Sequence, residues 1–381
     1  MDIAPKSRSL LGEQPIARVR TVAGGEAWLV TRYRYVRELF ADHRLGRSHP
    51  EPENAARINN FLLLAGPQGD IESEYAEHKK MRNLLTPAFS PRRMRVLQGR
   101  IHEIVHTMLD EMARTAPPVD LHSRFSFPLP VQVICELLGV PFEDRDKFQQ
   151  WAFDLGNMYD AELSKTAYER FETYMADLVE AKRRSPADDL ISDLVGMADD
   201  DQLLTTGEIV RFAVILLFAG HETTVAYIDF GTLFMLINPE QLAMLRSQPE
   251  LLPQAVEEIL RIVALGSTGL PRYAHSDIEI DGHLIKKGEA VLLAANVANR
   301  DPDAFEAPDA VDITAKRMQH MSFGYGPRHC LGAALARAEL TAVFGTLFQK
   351  FPDLRLAVPV EELELGRTHM LEGLTRLPVE W

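Results

Sequence analysis

The segment TTGEIVRFAVILLFAGHETTVAYIDFGTLFMLINPE, residues 205–240, constrains the fold more than any other part of the chain. Thr205 followed three residues later by Glu208 makes a capping box, and Asn238-Pro239 supplies a stop. Roughly 30 residues at 1.5 Å each give a helix about 45 Å long, enough to cross a whole domain. Its middle is apolar nearly all round, which requires burial on every side. A chain built around such a helix is mainly α.

The flanking texture supports that class and adds small sheets. IARVRTVAGGEAWLVTRYRYVRELF reads as a hairpin about Gly24-Gly25 followed by a short helix. Helical patterns run from about Lys79 to Val140 and on through FETYMADLVEAKRR. Beyond PQAVEEILRIVAL, the stretch RYAHSDIEIDGHLIKKGEAVLLAANVA shows short alternating runs with turn glycines. No internal repeat, low-complexity tract or linker is visible, so residues 1–381 are expected to form one domain.

Bulk properties exclude several classes of function. With 25% charged and 46% hydrophobic residues, the chain is globular rather than disordered or fibrous. A formal net charge of −14 argues against nucleic acid, whose phosphates would repel it. Two cysteines cannot make a disulfide framework, so a reducing cytoplasm is expected. The start, MDIAPKSRSLLGEQP, lacks the apolar core of a signal peptide. No uncharged apolar run of about 18 residues occurs, so no membrane span is expected.

One of the two cysteines, Cys135 in VQVICELLGV, reads as a small buried hydrophobe. The other stands in MSFGYGPRHCLGAALARAEL, between glycine-rich coil and a small-residue helix. There, backbone N–H groups and the helix dipole favour a thiolate at Cys330. Gly324, Gly326 and Gly332 let the backbone approach something bulky and flat, and Arg328 could pair with an anion. A catalytic nucleophile would want a base, and the neighbouring His329 is poorly placed by mere adjacency. A zinc site would want more soft ligands. A single thiolate on a glycine loop suits a metal already held by a macrocycle, as in haem.

Phe323-Gly324-x-Gly326-x-Arg328-x-Cys330-x-Gly332 resembles the haem-binding signature of the cytochrome P450 family, F-G-x-G-x-[RH]-x-C-x-G, at every fixed position. Three further segments agree, in the expected order. In AGHETT, Glu222 and the hydroxyls are costly in so apolar a helix unless used. Taken alone, Thr223 could simply bond back to a carbonyl one turn earlier and Glu222 find an ion pair. The resemblance makes Glu222 a relay acid and Thr223 the hydroxyl that hydrogen-bonds the bound oxygen. Glu258 and Arg261 in EEILR match the family's buried structural pair. The spacing is otherwise uninformative, since Glu111/Arg114, Glu180/Arg183, Glu208/Arg211 and Glu364/Arg367 share it. Finally, His78 and Arg82 in EHKKMR lie four apart on one helical face. They resemble the family's haem-propionate clamp, which Arg272 and Arg328 would complete. Arg328 stands where many bacterial members carry histidine, and His329 is a less usual neighbour for the cysteine.

The resemblance spans nearly the whole chain and implies the cytochrome P450 fold, with haem b (iron protoporphyrin IX) between the long central helix and the cysteine-loop helix. Cys330 is the implied metal ligand. His78, Arg82, Arg272, Phe323, Gly326, Arg328, Cys330 and Gly332 form the implied cofactor site, and Glu222 and Thr223 the catalytic pair. The implied activity is oxidation of a medium-sized organic substrate by O2 in bacterial secondary metabolism. With no fused reductase expected, electrons would come from a ferredoxin and its NAD(P)H-dependent reductase, the enzyme being a monomer. The rivals are a peroxide-using or rearranging haem-thiolate enzyme, and a haem-based sensor or carrier. Substrate contacts are expected from residues 55–70, from the helix near Phe218-Ala219, from residues 265–270 and from Met370-Leu371. Lys79, Lys80, Arg92, Arg93 and Arg95 form a basic stretch expected to face the electron donor.

Overall fold

Alternation on either side of Gly24-Gly25 forms the expected hairpin, in which β1 (Ile16–Arg20) runs antiparallel to β2 (Glu26–Val30) with Ile16 opposite Val30. Gly24 takes the left-handed turn position at φ 86°, open to glycine without Cβ strain. Helix α1 (Pro5–Glu13) precedes the hairpin, and α2 (Tyr33–Ala41), β3 (Leu45–Gly46) and α3 (Glu74–Leu85) follow it. The middle of the chain is helical apart from β4 (Val119–Asp120): α4 (Pro91–Ala113), α5 (Pro128–Leu138), α6 (Arg145–Leu155), α7 (Ala161–Arg184), α8 (Leu190–Asp201), α9 (Thr206–Ile237) and α10 (Pro239–Ser247). Helix α11 (Leu252–Ile262) leads to β5 (Leu270–Ala274), β6 (Ile278–Ile280), β7 (His283–Ile285), β8 (Ala290–Leu293) and the single turn α12 (Ala295–Ala298). Helix α13 (Ala333–Lys350), β9 (Arg355–Leu356) and β10 (Pro378–Glu380) complete the order. This computed structural model describes residues 5–59, 66–157, 160–201, 204–263, 265, 269–316, 319–366 and 373–381.

Contacts divide the chain into two compact units, Met1–Leu85 with Pro253–Ala333, and Thr86–Leu252 with Ala334–Trp381. In the first, five strands form one sheet in the order β1-β2-β8-β5-β3, with β2 and β8 parallel. Val30, Val36, Ile285, Val291, Leu293 and Met321 are wholly out of water in its core. An ion pair on α11 ties the end of α12 and the 308–312 loop together. Arg261 donates two hydrogen bonds of 2.8 Å to Glu258. It donates further to the carbonyls of Asn299, Pro308 and Ala310 at 3.0, 2.7 and 3.0 Å. The amide of Asp312 reaches the same carboxylate at 3.0 Å. With side chains only 1% and 4% exposed, the pair is buried and fully hydrogen-bonded, which is what a buried ion pair requires.

The second unit is organised on α9, against which α5, α7, α8 and α10 pack. Its capping box forms as the sequence indicates: Glu208 N–H donates to Thr205 Oγ1 at 3.2 Å, and Thr205 N–H donates to Glu208 Oε2 at 2.8 Å. From Thr224 to Met235 every residue is buried. Among the described residues α9 alone is long and apolar enough to cross a membrane, and 61% of its most apolar window is buried in the protein, as a core helix must be. Cys135 on α5 is buried, and burial pushes its thiol up to about 12, so it behaves as an apolar side chain.

Candidate active site

In the first unit the cysteine loop is drawn tight by its own backbone. Cys330 N–H donates to the Phe323 carbonyl at 2.9 Å, closing a turn in which Gly324 and Gly326 have φ of 68° and 72°. A Cβ at Gly326 would lie 2.9 Å from Ala41 Cα, so only glycine lets the loop rest on the end of α2. At Gly332 the Cβ direction is open, with nothing inside 4 Å. Cys330 itself is exposed, three residues ahead of α13, where amides and dipole favour a thiolate. From α3, Arg82 donates to the His329 carbonyl at 2.8 Å and so fixes the peptide that precedes the cysteine.

Around this loop the same unit gathers basic side chains, arginines with a histidine that burial and their charge keep neutral. His78 and Arg82 come from α3, Arg272 from β5 and Arg328 from the loop; Arg47, next to β3, was not foreseen. They act on one another. Burial, with the charges of Arg328 and Arg47, pushes Arg272 down to about 9. Burial, then Arg328 and Arg82, pushes His78 down to about 4. Burial and then Arg328 also lower Arg47. The carboxylate that offsets them is Glu74 on the first turn of α3, likewise unforeseen. It accepts from the amides of Arg47 and Ser48 at 2.7 and 2.9 Å, and pairs with Arg328 and the Ser48 hydroxyl. Burial alone would raise Glu74, but the bonds from Ser48 and the two amides outweigh it and hold the acid below its usual range. Cations that depress one another are short of negative charge. Two propionates would relieve them, which is the fit that haem requires here.

Glu222 and Thr223, the pair to which the resemblance gives a catalytic role, lie in the second unit, on α9. Glu222 Oε2 is out of water with no hydrogen-bond partner, and burial pushes the carboxyl up to about 8. The ion pair that would have made it structural is absent among the described residues. Thr223 does bond back, donating to the Ala219 carbonyl at 3.0 Å, as Thr224 does to Gly220 at 3.1 Å. The Thr223 oxygen keeps its lone pairs for accepting a proton. Seven residues on, buried Asp229 accepts from His122 Nδ1 at 2.7 Å, a pair that the sequence did not suggest.

Other expectations fare unequally. Residues 60–65, 266–268 and Met370-Leu371, expected to touch substrate, lie outside the described residues. In the basic stretch Lys79, Lys80, Arg92 and Arg95 are exposed. Arg93 departs from the expectation: it turns back to pair with Asp193, and with Asp188 at 3.4 Å, because α8 and the residues just before it bring these carboxylates beside it.

A glycine-loop cysteine with a cation cluster short of anions, and a partnerless acid beside a hydroxyl on a buried helix, are the parts of a haem-thiolate oxygenase. The chain belongs to the cytochrome P450 family, whose model, described as Cytochrome P450, matches residues 137–352. It is 46% identical to pentalenolactone synthase of Streptomyces exfoliatus, over 100% of this chain and 96% of that one. It is 39% identical to mycinamicin IV hydroxylase/epoxidase of Micromonospora griseorubida, with the same coverage. The crystal structure of the cytochrome P450 hydroxylase from the leinamycin pathway of Streptomyces atroolivaceus superposes with a TM-score of 0.91 at 42% identity, covering 100% of this chain and 97% of that one. The fold is that of the P450s, the cofactor is protoporphyrin IX haem, and the activity is that of an oxidative tailoring monooxygenase.

Proposed function

We propose that this monooxygenase oxidises a medium-sized, partly polar natural product. Its electrons come from a ferredoxin served by an NAD(P)H-dependent reductase, and it works in the cytoplasm as a monomeric, single haem domain. The observation that carries the site assignment is the cation cluster beside Cys330: Arg272 and His78 are pushed down to about 9 and about 4 by burial and by neighbouring cations. The substrate class is supported by relatives that act in the making of pentalenolactone, mycinamicin and leinamycin.

Haem bound here supplies the oxygen-activating chemistry, to which a thiolate ligand contributes electron density. The protein's residues do the rest. Cys330 Sγ is the ligand, held by its own N–H on Phe323 and by Arg82 on the carbonyl of His329. Arg272, Arg328 and His78 hold the two propionates, with Glu74 setting Arg328 in place. Glu222, with a pKa of about 8, carries its proton at neutral pH and is an acid able to give it up. Thr223 Oγ1, next along α9, accepts and passes that proton.

Replacing Cys330→Ser tests the assignment. The carbon-monoxide complex of the reduced protein should lose its red-shifted thiolate band, with haem retained weakly or as a non-thiolate species. A mutant that keeps the band shows that another group is the ligand.

A further inference from the structure

Helix α9 carries one lysine or arginine, Arg211. Its i−3 neighbour Glu208 is spent on the capping box, and Arg211 has no hydrogen bond or ion pair to any described residue. On α7, Tyr168 lies close enough to feel the charge of Arg211. Arg211 is also exposed on a helix that is otherwise almost entirely core. The exposed positions recur at Arg211, Ile215 and Ala219, with Ile215 showing 41% of its surface. At 3.6 residues per turn, Glu222 returns to within about 20° of Arg211 on the helix circumference, about 16 Å along the axis. One helix face therefore runs from Arg211, over two exposed apolar positions, to the largely buried acid and its half-buried neighbouring hydroxyl.

We propose that Arg211 is a substrate-recognising residue that takes the carboxylate end of an otherwise apolar substrate. The body lies along Ile215 and Ala219, and the carbon to be oxidised sits beside Glu222 and Thr223. This rests on the monooxygenase reading above and names the substrate class it left open. A guanidinium fork suits a carboxylate, and its charge-assisted hydrogen bonds are the strong ones. Ile215 gives the bound body an apolar surface to cover, and the stripe sets its length at roughly 10–15 Å once the arginine's own reach is allowed for. An uncharged analogue of the same shape would keep the apolar contact and lose the anchor.

The test uses holoenzyme, with dodecanoic acid and methyl dodecanoate as probes, titrated by calorimetry. Wild type should bind the acid about tenfold or more tightly than the ester. Arg211→Gln should erase that preference while leaving ester affinity unchanged, and Arg211→Lys should keep part of it. Equal affinities in wild type, no binding of the acid, or a preference that survives in Arg211→Gln overturns the anchor. Calorimetry reads the anchor whether or not the haem is thiolate-bound. Absence of the thiolate carbon-monoxide band in wild type would therefore sink the monooxygenase reading separately.

Discussion

Glu258 in the first unit and Glu222 in the second are both helical glutamates with buried carboxyl oxygens, and they are treated in opposite ways. Glu258 receives Arg261 twice and the Asp312 amide once. Glu222 Oε2 receives nothing. A buried carboxylate that is fully answered stays charged and holds structure together. One that is left alone is kept neutral by the cost of charging it, and so becomes a proton store. The basic cluster about Arg272 is the reverse case, in which burial and neighbouring like charges lower the arginines' proton affinity. Asp229 lies between the extremes. Burial raises it, and His122 holds it partly back.

The largest effect should come from breaking the answered pair. Glu258→Gln leaves Arg261 charged, 1% exposed and short of its counter-ion. Removing one partner of a buried pair costs about 3–5 kcal/mol, against a total stability of roughly 5–15 kcal/mol. The variant should unfold at much lower denaturant concentration or fail to accumulate folded. A midpoint close to wild type would mean that the carbonyls of Asn299, Pro308 and Ala310 suffice to hold Arg261.

Glu222→Gln should do the opposite to stability and damage function instead. Because the folded pKa of about 8 lies above the ordinary carboxyl value, wild-type Glu222 adds a penalty that grows as pH rises from about 4.5 to about 8 and is flat beyond. Glutamine lacks that slope, so the variant should match or exceed wild-type stability at pH 7 and gain on it by pH 8. Its product formed per NAD(P)H consumed should fall, since the amide has no proton to release. In wild type the same ratio should decline above about pH 8 as the acid ionises. Comparing thermal midpoints and coupling ratios at pH 6 and 9 decides it; a variant that is both less stable and fully coupled places Glu222 with Glu258 as scaffold.

The two glutamates also mark what could be read from the chain alone. The capping box, the continuous apolar run and the glycine-loop cysteine are local, and each is legible because its partners lie within a few residues. The E-x-x-R spacing occurs five times, and nothing in the spacing ranks the pairs. Glu180 and Arg183 turn out to be a surface ion pair with side chains 49% and 29% exposed. Glu208 goes to a cap, and among the described pairs only Glu258 with Arg261 is buried. Partners distant in sequence were invisible. Glu74 meets Arg328 across 254 positions, and His122 meets Asp229 across 107. Arg93 shows the same blindness from the other side, because a run of basic letters does not reveal the aspartates on and just before α8 that meet it.

The smallest effect concerns exposed charge, where static pairing is worth little and encounter is what matters. Lys80 is exposed on α3, the helix whose His78 and Arg82 are proposed to serve the cofactor, while the protein as a whole carries −14. A local positive surface on a negative body steers an acidic ferredoxin toward that face, and salt screens the steering over about 10 Å at 0.1 M. Arg93, being paired with Asp193, should contribute much less. Lys80→Glu should slow reduction by ferredoxin several-fold at low salt and little at high salt, with stability and substrate affinity unchanged. Arg93→Glu should leave the rate near wild type and lower stability slightly, since it sets like charges against each other on α8. Stopped-flow rates across a salt series separate the two. If Arg93→Glu slows reduction as much as Lys80→Glu does, steering comes from charge summed over the whole surface rather than from the most exposed residues.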